Sequence, residues 1–314
     1  MKLSTLLFSL CATTTLAAKV TTLHQFPNNT WVENLAQMHN GSLLVTFISA
    51  PQIHIVHPDT RTSNLVATFP NATAVLGITE LQCDVFAVAV GSLKPTNEPV
   101  MGSFAIWSID LRNATSNDTV TTSKIADLPS VSMVNGLTRR DDRTLLLADS
   151  WAGDILALDV KMKTYEIAFA HPSLSANFSS AQVPPLGVNG LRWDEQRSAL
   201  YYSNNVQSIL GVIKPGHACG PRYEVIAMGA QVGGPDDLAV LSDGSVLLAR
   251  PAVDVVVRVG LNGTLGESVG VNGPTSVVLG REYGDMERKV VYASTSGLVC
   301  GMPREGGRVV RIEY

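Results

Sequence analysis

Charge is scarce in this chain. Lys, Arg, Asp and Glu make up 16% of its 314 residues and leave a net charge of -4, so it carries no basic footprint for nucleic acid. Aromatic residues are few, at 6%, and no run of eighteen apolar residues follows the N-terminal segment, which excludes a membrane-spanning helix on this reading. Cysteine is rarer still. Cys11, Cys83, Cys219 and Cys300 form no CxxC, which leaves a zinc ribbon or a thioredoxin-like motif without support. Long helical periodicity is missing too. What abounds is turn chemistry and apolar bulk, with 26 Gly, 16 Pro and 45% hydrophobic residues, a globular composition rather than a disordered or coiled-coil one.

The first eighteen residues read as a secretory signal peptide: Lys2, an apolar stretch from Leu3 to Leu16, then small residues at Ala17 and Ala18. Asn-x-Ser/Thr sequons at Asn28, Asn40, Asn71, Asn113, Asn117, Asn177 and Asn262 agree with export and predict a secreted glycoprotein. Loss of Cys11 on cleavage leaves three cysteines. Cys83, inside LQCDVFAVAV, reads as a small buried hydrophobe, and Cys219 and Cys300 near Gly-rich turns are free to pair or not.

One pattern recurs: a polar turn, an apolar strand, a tight turn and a second strand. It is strong in ENLAQMHNGSLLVT from Glu33, VNGLTRRDDRTLLLADS from Val134, VNGLRWDEQRSALYYSNN from Val188 and PDDLAVLSDGSVLLAR from Pro235. Weaker copies start at Leu76 and Pro274, and the six copies are spaced by 39 to 58 residues. Asn40-Gly41 and Asp243-Gly244 are hairpin-turn pairs. A period of roughly 40–50 residues with about four strands per copy predicts an all-β, six-bladed β-propeller. The strand VTTLHQF near the N-terminus is left without a blade and should close the last one beside GRVVRIEY, removing open edges. The expected organisation is a signal peptide over 1–18 and one propeller domain over 19–314.

In such a ring the residue opening each innermost strand faces the channel mouth. The strong copies place Glu33, Asn135, Asn189 and Asp236 there, while the weak ones place Gly77 and Thr275. Two carboxylates and two amides presenting their carbonyls form a hard oxygen set, suited to calcium, magnesium or manganese. The expected cofactor is one divalent cation, calcium or magnesium, with no organic cofactor.

GVNGLRWDEQRSALYY and GPDDLAVLSDGSVLLA resemble the blade starts of the senescence marker protein/gluconolactonase family of six-bladed propellers, over nearly the whole chain from Trp31 to Tyr314. That resemblance implies metal ligands at Glu33, Asn189 and Asp236 and a substrate contact at Asn135. The chain departs from the family where Gly-Glu-Gly-Pro becomes Trp31-Val32-Glu33-Asn34 and where Asp-Ser after the second strand of the fourth blade becomes Asn204-Asn205. It is more similar to small secreted fungal propellers whose first blade reads like ENLAQMHNGSLLVT, among them the hetero-Diels–Alderases that couple a tropolone quinone methide to a humulene-type sesquiterpene. This likeness implies a cyclase of secondary metabolism, and of the blade-start residues Asn135 and Asp236 are the candidate catalytic ones. The alternatives are a metal-dependent lactonase, with Asp236 or Asp237 as base, and a non-catalytic ligand-binding propeller.

Loops leaving the second strands should share the rim of the mouth. They bring Phe47, Trp151, Asn205 and Arg250 as candidate substrate contacts for a small, largely apolar molecule. Trp151 reads equally as inter-blade packing, and Arg250 as an exposed rim cation or an anchor for a substrate oxygen. The expected partner is that small molecule, with no nucleic acid or membrane, and the chain is expected to be a monomer. GESVG at 266–270 matches a nucleophile elbow only by composition, since a strand rather than a helix follows it. His54 and His57 read as structural, His171 as a general-base candidate in a loop, and the charges from Arg139 to Arg143 as a self-neutralising turn.

Overall fold

A strand pressed between neighbours on both faces has no solvent side, so its sequence loses the polar alternation of a half-exposed strand. Leu43–Phe47 and Val246–Arg250 are buried throughout for this reason, whereas Thr62–Thr68 and Thr164–Ala170 are mostly exposed. The computed structural model describes residues 18–112, 120–176, 185–214, 216, 220–287, 289–299, 302–303 and 305–314. It arranges these strands as six four-stranded antiparallel sheets in a ring, the expected six-bladed propeller.

Blade 1 runs outward as Val32–Gln37, Leu43–Phe47, Gln52–His57 and Thr62–Thr68. Blades 2 to 5 keep that order, with innermost strands Ala74–Gln82, Val134–Arg139, Val188–Asp194 and Leu238–Val240. In blade 6, Pro274–Leu279, Val290–Thr295 and Arg308–Glu313 are completed by Lys19–Gln25, in register from Lys19 opposite Glu313 to Gln25 opposite Arg308. The N-terminal strand thus closes the ring as expected. The innermost strands touch their neighbours in an unbroken cycle.

The core lies in the seams between blades. Leu76, Ala89 and Ile106 of blade 2 meet Leu145, Leu147 and Leu156 of blade 3, and Tyr201 and Val212 of blade 4 meet Leu248 and Val257 of blade 5. No helix among the described residues is long and apolar enough to cross a membrane.

Cys83 is not the buried hydrophobe expected. LQCDVFAVAV is two strands and a turn, and Cys83 stands exposed at the tip of the hairpin joining Ala74–Gln82 to Val85–Gly91. The described sequon asparagines, Asn28, Asn40, Asn71 and Asn262, are all exposed. Asn113, Asn117, Asn177, Cys219, Cys300 and the predicted signal peptide up to residue 17 lie outside the described residues.

Candidate functional site

Five of the six innermost strands begin with a fault in their pairing. Register shifts fall between Val32 and Leu35, Val75 and Ile78, Val134 and Leu137, Val188 and Leu191, and Pro274 and Ser276. A bulge at this point takes side chains out of the regular alternation and re-aims them. Glu33-Asn34, Asn135-Gly136 and Asn189-Gly190 occupy three of these bulges, while in blade 5 Asp236 and Asp237 precede the strand outright.

Glycine sets how closely the bulges approach. A Cβ on Gly136 would collide with the Asn189 carbonyl, and one on Gly190 would stand 2.5 Å from Asp237 Oδ1. The ring continues from Asp237 N–H to the Thr275 carbonyl at 3.0 Å and from Thr275 Oγ1 to the Val32 carbonyl at 2.8 Å. Hydroxyls brace it from outside. Thr46 donates to the Leu76 carbonyl and Ser150 to the Val188 carbonyl, each at 2.5 Å, and Ser203 donates to the Asp236 carbonyl.

Glu33, Asn135, Asn189, Asp236 and Asp237 are all buried at this end of the channel, so the four expected blade-start residues do converge. Their chemistry is unequal. Asn189 Nδ2 donates to Asp236 Oδ1 at 3.0 Å, which turns the amide carbonyl away from that carboxylate. Asp237 is the satisfied acid. Its Oδ2 accepts from Asn34 Nδ2 at 3.1 Å and Ser276 Oγ at 2.9 Å and faces an Arg192 guanidinium nitrogen at 3.3 Å, while its Oδ1 accepts from the Leu238 N–H at 2.7 Å. It is therefore held as a structural anion rather than a free base.

Glu33 and Asp236 have no such support. Glu33 Oε2 is buried with no hydrogen-bond partner. Burial pushes the Glu33 carboxyl up to about 7; the nearby Trp31 indole offsets the shift in part and the Asp237 charge adds to it. Asp236 is driven well above the usual carboxylate range by burial, then by the charges of Glu33 and Asp237, against which its Asn189 bond acts. Of these three carboxylates only Asp237 meets a guanidinium, so Glu33 and Asp236 are left buried without a cationic partner. With the orphaned Glu33 oxygen, this suits one divalent hard cation between Glu33 and Asp236, which Asn189 would join once its amide turned its carbonyl inward.

The rim differs from the expectation. Phe47 is not a rim aromatic: it is 2% exposed and packs edge-on to Phe26 and His54, at ring separations of 4.9 and 5.1 Å. As the last residue of a second strand it turns into the seam between blades 6 and 1. Trp151 is half-buried against the seam between blades 2 and 3. Asn205 donates to the Pro235 carbonyl at 3.1 Å and steadies the approach to Asp236. Arg250 is no exposed cation, being only 9% exposed.

The discounted motifs stay outside the mouth. Ser268 lies in the outer strand Leu265–Gly270, without an elbow. His171 caps a short 3-10 turn through Nδ1 and stacks on Tyr223 at 4.1 Å. Glu80, Cys83 and Asp84 form a separate group with metal-ligating atoms within 4.8 Å of one another. There Glu80 pairs with Arg281 and Asp84 accepts from the His39 N–H.

At the opposite end of the channel lies a cavity of about 540 Å³, lined among others by Arg192, Trp193, Arg197, Leu279 and Arg281. Its guanidiniums are all engaged: Arg192 by Asp237 and Leu238, Arg197 by Asp194 and Ser242, Arg281 by Glu80 and Gln37. The reading from blade starts found Glu33, Asn135, Asn189 and Asp236 but missed Asn34, Arg192 and Ser276. Their only signal was adjacency to the bulges, or, for Arg192, the third position after Asn189.

Fold and mouth define a six-bladed β-propeller with an acidic, cation-suited channel site. No family model matches the chain. It is 26% identical over 195 residues, 54% of this chain and 54% of the relative, to a protein of Phoma sp provisionally named a hetero-Diels–Alderase. The chain thus spans about half the length of the curated relative it matches. Among solved structures it is similar to a luciferin-regenerating enzyme, with TM-score 0.69, 13% identity and coverage of 95% of this chain and 96% of that one. It is also similar to the calcium-binding protein regucalcin of Agrobacterium tumefaciens, with TM-score 0.63, 13% identity and coverage of 93% and 94%. At such identities the two structures speak for the fold alone.

Proposed function

We propose that this protein is a biosynthetic cyclase of the hetero-Diels–Alder type, bringing a reactive quinone methide and an alkene together in the propeller mouth. The tropolone–sesquiterpene type of coupling is the chemistry in view. The observation that carries the reading is the 195-residue similarity to the Phoma relative. The mouth is in keeping with it. Among the described residues no histidine is hydrogen-bonded to the blade-start acids and amides, and the Ser173–His171 contact of 2.8 Å at this end belongs to the loop before blade 4, where Ser173 Oγ also meets the Tyr202 hydroxyl. The loops at this end expose Val100, Met101 and Val253, an apolar approach suited to a terpenoid partner. A cycloaddition needs no proton shuttle, and orientation of the two reactants alone supplies roughly 7–11 kcal/mol. Trp151 would support the flat reactant, with Asn135 and Asp236 set beside its carbonyl. A calcium or magnesium ion held by Glu33, Asn189 and Asp236 would, when bound, polarise a carbonyl oxygen.

A metal-dependent lactonase is the second reading, favoured by the same Glu33–Asn189–Asp236 donor set. The two separate at the bench. Purified protein receives γ- and δ-lactones with calcium, zinc or manganese, and separately a quinone-methide precursor with humulenol. Cyclase activity gives little lactone turnover and a faster, stereoselective adduct that largely survives a change of metal. Efficient metal-dependent ring opening, abolished by Asp236→Asn, with adduct formation no faster than in buffer, establishes the lactonase instead.

The proposal includes passage through the secretory route as a glycosylated monomer. The apolar N-terminal segment and the four exposed sequons support it. Mass spectrometry before and after glycosidase treatment tests it, and an unmodified product starting at Met1 overturns it.

A further inference from the structure

Among the described residues, every arginine but Arg61 and Arg250 pairs with a carboxylate. Arg61 is exposed, so water serves as its partner. Arg250 is only 9% exposed, and no carboxylate meets it. Its Nη2 donates to the Ala230 carbonyl at 2.9 Å, and its Nε has no partner. The only acidic residue outside the described ones is Asp118, which lies in the chain between the third and fourth strands of blade 2.

Arg250 ends the second strand of blade 5, at the same end of the channel as the acids. The carbonyl of the preceding Ala249 accepts the Asp236 N–H at 2.9 Å, and Asn205 holds Pro235 on the blade 4 side. Arg250 therefore follows directly on the residue that holds the Asp236 backbone, and its guanidinium reaches the Ala230 loop at the same end of the channel without meeting a carboxylate. Unbalanced acids and an unbalanced guanidinium sit in one mouth as separate poles. A buried charge without a counter-ion costs stability, and burial already weakens this guanidinium's hold on its proton. Groups of this kind cluster at functional sites.

We propose that the mouth recognises a small organic anion whose ionised oxygen, a carboxylate or an enolate conjugated to a carbonyl, is the counter-ion of Arg250. The guanidinium fork matches a planar pair of oxygens, and a ligand of this kind spans from Arg250 towards the cation-suited acids. The inference rests on the mouth being a small-molecule site and adds the charge of what it takes.

The test uses the full chain with calcium and a matched pair of probes, hydrocinnamate and the uncharged hydrocinnamide, titrated calorimetrically. The acid is expected to bind roughly tenfold more tightly than the amide. Arg250→Gln should bring the acid down to the affinity of the amide, and Arg250→Lys should keep part of the preference. Melting of the unliganded Arg250→Gln protein should be no lower than that of the unsubstituted chain, because an unpaired buried charge has been removed. Equal binding of both probes sinks the anion inference alone. So does an Arg250→Gln protein that melts lower yet keeps the preference, which makes Arg250 structural. Binding of neither probe overturns both this inference and the reading of the mouth as a ligand site.

Discussion

At the scale of single residues, the site turns on which acids are satisfied. Asp236 and Asp237 are neighbours in sequence, yet one is raised by burial and by the charges around it while the other holds Asn34, Ser276 and Arg192. Glu33 carries the clearest consequence for pH. The folded chain keeps its proton up to about 7, whereas the unfolded chain releases it near the ordinary 4.5. Between those values the folded state binds more protons, so without a cation stability falls as pH rises through this window. By pH 8 the cost reaches about 3 kcal/mol. Calorimetry in chelator should show melting that drops from pH 5 to 8, and Glu33→Gln should flatten that slope and melt higher at pH 8. Calcium should raise the melting point of the unsubstituted chain, by an amount set by its excess over Kd and reaching about 2.7 kcal/mol at a hundredfold excess. The same variant should respond weakly. An unchanged pH slope in Glu33→Gln would place the titration elsewhere.

At the scale of elements, the bulges that open the innermost strands do the positioning, and the glycines inside them let neighbouring strands meet. Gly190→Ala would place a Cβ 2.5 Å from Asp237 Oδ1 and 2.6 Å from its Cα. Overpacking of this kind costs typically 1–3 kcal/mol, and here the displaced residue is the anion that the neighbouring blades share. The variant should melt lower and lose the calcium response together. Gly266→Ala is the control: it lies on an outer strand where a Cβ meets nothing nearer than the Arg258 carbonyl at 3.5 Å, and its melting curve should match the parent. Differential scanning fluorimetry with and without calcium reads both. Equal behaviour of the two variants would deny the bulge its part in the site.

For the whole molecule, closure is the controlling feature. Lys19–Gln25 pairs along Arg308–Glu313, places Leu23 in the blade 6–blade 1 seam and removes an open sheet edge. Deletion of residues 19–25 should uncover that edge, broaden the thermal transition and shift the protein to aggregates in size-exclusion chromatography. A monodisperse product with unchanged melting would show that the last blade closes without it. Closure also bears on the mouth, because Thr275 and Ser276 of the same blade hold Val32 and Asp237. The truncated protein, where it stays soluble, should therefore lose calcium-dependent stabilisation as well.

The six blades were legible in the sequence because each copy spells out its own strands and turns locally, from Glu33-Asn34-Leu35 to Val188-Asn189-Gly190-Leu191. The blade-start acids and amides were legible for the same reason, since equal places in a repeat become equal places around an axis. The N-terminal strand could be assigned by exclusion. What the repeat could not carry was partnership across the ring. Asn34 reaches Asp237 across a sequence separation of 203, and Gln37 reaches Asp285 across one of 248. Phe47 and Arg250 close equivalent second strands, one packed among rings and the other left as an unpaired cation, because the neighbouring blade decides what each side chain meets. Cys83 went the other way: an apolar run hid a hairpin turn, and only the paired strands on either side put the thiol in solvent. Local pattern determines the strands and their order around the ring, whereas the charge balance of the mouth exists only once six distant strand starts have been packed against one another.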